Sequence, residues 1–214
     1  MTFRRFYLTA FVLIILSCAA TAVLLPGLPS SVATRWTPDG EVLSSGSRFI
    51  LLATAGLPLL SLWLIYKTPS VSPNGNTHRK HTYAYSITIG FFLVFLIGIH
   101  WVIVLFNFGI HFQTALAARI VIALALFSTG WVLPKIRFNH SVGIRTPWST
   151  NDETIWKKTH AAGRNLFYAA GVMFIVSSFF TGASAFWIGA ATLISVVVLL
   201  YLYSYILGKQ KSDT

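Results

Sequence analysis

The sequence predicts an all-α integral membrane protein with six transmembrane helices and an amphipathic interfacial helix before the fifth. Three observations lead there. Hydrophobic residues make up 55% of the 214 and charged residues only 10%, a balance that departs from soluble domains toward membrane proteins. Six apolar runs approach the roughly 20 residues that a helix rising about 1.5 Å per residue needs to cross about 30 Å of hydrocarbon. The basic residues are sorted into alternate connectors, as the bilayer sorts them in multi-pass proteins.

The first run, 6–25, follows Arg4-Arg5 and contains the single cysteine, Cys18. Ile-Leu-Ser-Cys at 15–18 has the outline of a lipoprotein signal. The apolar stretch continues through Val23-Leu24-Leu25, however, so an uncleaved span is expected. One cysteine allows neither an internal disulfide nor a cysteine-based metal site. The second run, 49–66, carries Pro58, which neighbouring helices tolerate as a kink inside a membrane. Runs three to six cover 84–106, 115–133, 165–180 and 185–207. In the last, Ala185 and Gly189 form a small-xxx-small pair that points to close helix packing. Trp63, Tyr66, Tyr83, Tyr85, Trp131, Tyr201, Tyr203 and Tyr205 stand at run ends, where amphipathic rings anchor at headgroup level.

The connectors differ more than the spans. Loops 107–114 and 181–184 are short and carry no Asp, Glu, Lys or Arg. Loop 26–47, PGLPSSVATRWTPDGEVLSSGS, holds Arg35-Trp36 and a Pro-Asp-Gly turn signal. Loop 67–83 is a basic connector rich in turn residues, and loop 134–162 is the longest segment on its side. With the N-terminus inside, 13 of the 16 basic residues face the cytoplasm, Arg35 and Arg48 face out, and Arg119 lies in a span. That asymmetry orients both termini to the cytoplasm. It also accounts for a net charge of +11 and a pI near 10.2 without direct nucleic-acid binding.

Loop 134–162 is where the chain collects its unusual chemistry. Pro147 disfavours helix at Thr146, and Thr150 with Glu153 three residues later fits a capping box, so a helix is expected to begin there. On a helical wheel Ile155, Trp156, Thr159, Gly163, Leu166 and Phe167 share one side, with Glu153, Lys157 and Arg164 on the other. Glu153 and Lys157 have the favourable i,i+4 order. An interfacial helix results, with Trp156 at headgroup depth and the lysines beside lipid phosphates. Whether it only orders the loop or also binds a partner is left open by this pattern.

PKIRFNHSVGIRTPWSTNDETIWKKTHAAG, residues 134–163, resembles the signature of the SdpI-type immunity protein family. LPSSVATRWTPDGEV, residues 28–42, together with the first two spans, is similar to an uncharacterised membrane domain common at the N-terminus of that family; Arg35 stands where His is usual. The two stretches bracket spans one to five and divide the chain into a two-span module, 1–83, with extracytoplasmic loop 26–47, and a four-span module, 84–214, with cytoplasmic loop 134–162. The resemblance implies a six-span protein that protects a bacterium from a secreted toxin peptide, and, for at least one member, holds a soluble autorepressor at the membrane. On that reading Arg35 and Trp36 belong to the toxin-facing loop. Arg145, Trp148, Trp156, Lys157, Lys158 and His160 belong to the surface offered to lipid or repressor.

A small transporter or exporter of an amphipathic peptide or lipid is the alternative. Transporters place ionisable groups on intramembrane pathways, yet Asp39, Glu41, Asp152, Glu153 and Asp213 all fall in loops or the tail. Only His100 and Arg119 remain at membrane depth, as a packing histidine and a snorkelling arginine, or as a polar pair facing the bundle interior. No H-E-x-x-H, G-x-S-x-G or metal-spaced histidine set occurs, so no catalytic, metal or cofactor site is expected.

Overall fold

The computed structural model describes residues 3–37, 40–71, 82–110, 113–139 and 142–212. Six helices are described: α1 (Phe3–Leu24), α2 (Ile50–Val71), α3 (Thr82–Asn107), α4 (Thr114–Val132), α5 (Glu153–Val176) and α6 (Gly182–Ser212). Short 3-10 turns close α1 at Leu25–Gly27, α4 at Leu133–Lys135 and α5 at Ser177–Phe179. Among the described residues four helices are long and apolar enough to cross a membrane: Arg5–Gly27, Ile89–Asn107, Thr114–Lys135 and Gly182–Ser212; Ile50–Leu64 is a shorter apolar helix.

Two features differ from the all-α, six-span expectation. Loop 26–47 folds into an antiparallel hairpin, β1 (Ser31–Trp36) and β2 (Val42–Ser47), with register irregularities on either side of Arg35. Of the Pro-Asp-Gly signal only Gly40 lies within the described residues: its N–H donates to the Thr37 carbonyl at 2.9 Å, and its φ of +89° is one that glycine adopts without strain. Val32, Thr34 and Trp36 supply the branched and aromatic alternation of a strand, but a run this short and serine-rich carries little signal in sequence. The second difference is α5. It runs without a break from Glu153, so the expected interfacial helix and the fifth span are one element, and its polar first half keeps it outside the group of apolar spanning helices.

Packing gathers α1, α2 and α3 around Ile14, Leu62, Ile89 and Leu93, with Leu28, Val32, Leu51 and Val104 joining them to the hairpin. A second core, Ala123, Leu126, Ala170, Phe174, Val196 and Leu200, joins α4, α5 and α6. Close approach there depends on glycine. A Cβ on Gly130 would lie 2.9 Å from the Arg164 carbonyl and 2.7 Å from the Tyr168 ring, and one on Gly171 would lie 2.7 Å from Phe127. Ala185 and Gly189, the small pair of the last span, are buried, and Gly189 faces Phe174. Outward-facing Leu8, Leu13, Leu16, Val94, Leu124, Ile194 and Val197 are exposed, as helices in contact with lipid require.

Candidate functional site

The motif loop is a clasp over the ends of α5 and α6. Thr146-Pro147-Trp148-Ser149 forms a single capped turn: the Ser149 N–H donates to Thr146 Oγ1 at 3.1 Å, and the Thr146 N–H donates to Ser149 Oγ at 2.9 Å. Pro147 occupies the first position of that turn, where a missing N–H costs nothing. The Ser149 hydroxyl donates in turn to the Ile144 carbonyl at 2.8 Å, and Thr146 Oγ1 bonds Ser204 of α6. The reciprocal capping expected at Thr150 and Glu153 is therefore made one turn earlier. The N-cap of α5 is Asp152, whose carboxylate accepts the Ile155 N–H at 2.8 Å. Asp152 also pairs with Lys211, tying the start of α5 to the end of α6; that ion pair, then the Ile155 amide, holds its carboxyl below the usual range.

Beneath the turn, Trp156 and His160 form the centre of the clasp. The Trp156 indole N–H donates to the Ile136 carbonyl at 2.9 Å, and its ring packs edge-on to Phe138. The Ile144 N–H donates to His160 Nε2 at 3.1 Å, so Nε2 carries the lone pair and Nδ1 carries the proton, which bonds the Trp156 carbonyl at 2.9 Å. The two rings stack at 4.1 Å. Burial pushes the imidazole down to about 4, against an ordinary 6.5. Gly143, at φ +126°, lies so close that a Cβ would sit 2.5 Å from His160 Nε2 and 2.8 Å from Trp156. Asn139 turns the chain into this segment through bonds to the Arg137 and Val142 carbonyls and the Val142 amide.

The expected surface residues consequently separate. Arg145, Lys157 and Lys158 are exposed, and Lys157 pairs with Glu153 at 2.8 Å. Trp156 and His160, each 1% exposed, are covered by the chain's own residues rather than presented at its surface. The wheel correctly gave Trp156 a covered face, but the cover includes Ile136, Phe138, Val142 and Ile144 of the same chain. Trp148 is half-buried between Tyr201 and Tyr205, against Gly208. Ser204 and Asn139 were not singled out in the sequence, and Thr146, Ser149 and Gly143 were read only as turn or capping positions; the T-x-x-S spacing was the available signal for the Thr146–Ser149 pair.

At the opposite end, Asn107 closes α3 onto the hairpin. Its side chain accepts the Ala33 N–H at 2.7 Å and donates to the Ala33 carbonyl at 3.0 Å, reproducing the pairing of a neighbouring strand. Arg48 donates to the Leu28 carbonyl at 3.1 Å. Arg35 is exposed and bonds Ser44 Oγ at 2.8 Å; Trp36 is half-buried, edge-on to Phe106. His100 does not meet Arg119. It bridges α1 and α2 instead, with Nε2 2.8 Å from Thr21 Oγ1 and Nδ1 3.0 Å from Thr54 Oγ1, while Trp101 bonds Ser17 at 2.9 Å. Arg119 lines a cleft of about 670 Å³ between the hairpin and α4, α5 and α6. Trp36 Nε1 and Thr114 Oγ1, on residues that also line it, have no hydrogen-bond partner, each a cost of roughly 1–3 kcal/mol. Among the described residues no three His, Cys, Asp or Glu side chains gather to hold a metal.

These features define a helical multi-pass membrane protein whose polar chemistry sits at the two ends of the bundle. Residues 135–204 match the model of the SdpI/YfhL protein family, so the motif likeness holds for the segment from the clasp loop to Ser204. Over 197 residues the chain is 22% identical to the immunity protein SdpI of Bacillus subtilis strain 168, covering 91% of each. No solved structure matches the chain.

Proposed function

We propose that this is a six-span bacterial inner-membrane immunity protein, both termini cytoplasmic, that protects its producer from a secreted toxin peptide without catalysis. The supporting observation is the alignment with an immunity protein along 91% of both chains, with the motif loop inside the matched family segment. In this reading α2 and α5 complete the set of spans, and the chain divides into modules 1–83 and 84–214. The hairpin module faces the toxin and the clasp faces the cytoplasm. Expression in toxin-sensitive cells tests the central claim: survival should exceed that of cells with empty vector for a toxin encoded near the gene. Equal killing for every such toxin removes it.

A soluble repressor docking on the cytoplasmic face is a second element of the proposal, and exposure narrows the surface to Arg145, Lys157 and Lys158. Replacing all three with Ala should release a fluorescently tagged repressor from the membrane while resistance persists. Retention of the repressor would exclude this surface. Trp156→Ala does not serve here, because it opens a buried cavity.

A further inference from the structure

We infer that the cleft between α3, α4 and the clasp loop is a binding site for one anionic phospholipid, with an acyl chain between the helices and the phosphate at Lys135 and Arg137. The inference does not rest on the immunity reading. α3 and α4 touch at Gly98, where a Cβ would lie 3.3 Å from Val121. Toward the clasp a cleft of about 360 Å³ opens, walled by Phe92 and Phe95 of α3, Ala125 and Val132 of α4, and Ile144 of the loop. Apolar walls around a volume of that order suit a small apolar body. The two hydroxyls in the lining are already engaged within α4: Ser128 donates to the Leu124 carbonyl at 2.7 Å, and Thr129 to the Ala125 carbonyl at 2.8 Å. The side chains of the cleft therefore take hydrocarbon and have no donor left to offer it.

Charge at the mouth selects the headgroup. Ile136 lines the cleft, and its neighbours Lys135 and Arg137 are both exposed. Lys135 Nζ lies over the Trp131 ring, and Trp131 stands edge-on to the lining Phe91 at 6.1 Å, so the ammonium is held beside the cleft. The two carboxylates described at this end of the bundle, Asp152 and Glu153, are paired with Lys211 and Lys157. The positive charge at the mouth is thus left for an anion from outside the chain, and phosphate oxygens are strong acceptors for it. A bilayer lipid supplies that anion and the hydrocarbon in one molecule. Depth agrees: Lys135 ends the apolar stretch Thr114–Lys135, at the level of lipid phosphates, while Phe92 and Phe95 fall within Ile89–Asn107, at the level of acyl chains. Inorganic phosphate would use the two cations and leave the apolar walls uncovered.

The experiment uses the full chain in nanodiscs of equal parts phosphatidylcholine and phosphatidylglycerol with the same acyl chains. Lipid retained after transfer to mild detergent is read by native mass spectrometry. The unaltered chain should keep phosphatidylglycerol over phosphatidylcholine by about tenfold, and Lys135→Gln combined with Arg137→Gln should bring the preference below about twofold. Lys209→Gln, which removes an exposed cation from the end of α6, should leave it unchanged. A phosphatidylglycerol carrying a diazirine on one acyl chain should cross-link to Phe92, Phe95 or Ala125, and inorganic phosphate at matched ionic strength should not displace it. Equal retention of the two lipids by the unaltered chain, an equal fall in Lys209→Gln, displacement by inorganic phosphate, or cross-links confined to outward-facing residues such as Val94 and Leu124 would overturn the inference. Each substitution is also read singly, and the cross-link on the unaltered chain decides the matter where a variant fails to fold.

Discussion

Gly143 concentrates the demands of the clasp in one position. Its backbone at φ +126° is strained for any L side chain, and its missing Cβ is what lets Trp156 and His160 stack beneath the loop. Gly143→Ala should cost more than about 2 kcal/mol, the sum of backbone strain and overpacking, seen as a lower unfolding temperature of the purified protein. His160 carries a second prediction. The unfolded chain takes up a proton near 6.5 and the folded chain only near 4, so the stabilisation is complete above 6.5 and is lost as pH falls through that window. The loss approaches about 3 kcal/mol at pH 4. Unfolding midpoints measured across this range should show it, and His160→Gln should flatten the curve. Asp152, held below 3.8, contributes a further loss only at lower pH. Sequence periodicity identified the buried face of Trp156, but its neighbours come from a loop without periodicity, so what covers it was not readable.

Among the elements, α4 and α5 approach closely, and Gly130 limits their distance because the obstacle to a side chain includes the rigid Arg164 carbonyl. Gly130→Ala should destabilise by about 1–3 kcal/mol. Gly56→Ala, with nothing within 4 Å of the added carbon in α2, should be neutral or stabilising by up to about 1 kcal/mol. Thermal unfolding of the two variants side by side checks the contrast. The extents of the helices were largely legible: the expected spans 6–25, 84–106, 115–133 and 185–207 fall within or next to α1, α3, α4 and α6. The start of α5 was not. Thr150-x-x-Glu153 and Asp152 compete as caps, and Lys211, fifty-nine residues away, favours Asp152. The hairpin was legible only at its turn, since its strands depend on Asn107 and Arg48 from neighbouring elements.

For the whole molecule, sidedness is the property with the widest consequences. The proposed orientation, argued from the sorting of lysine and arginine, has the clasp on the cytoplasmic face and the hairpin outside. Thr154 is exposed on the first turn of α5. A cysteine there, in a Cys18→Ser background, should resist a membrane-impermeant maleimide in intact cells and react in inverted vesicles. Reaction in intact cells would reverse the proposed roles of the two faces. The same ordering of charge accounts for the basic pI of about 10.2.

By itself, the sequence determined that the chain enters a bilayer, where most of its helices run, and which motif sets it beside the SdpI type. These follow from run length, charge sorting and residue spacing, which are local quantities. Tertiary structure decided that Trp156 and His160 are internal, that His100 joins Thr21 and Thr54 rather than Arg119, and that Trp36, Thr114 and Arg119 share one cleft. Each of those depends on contacts between residues far apart in the chain, and a hydrophobic pattern says that a face is covered without saying by what.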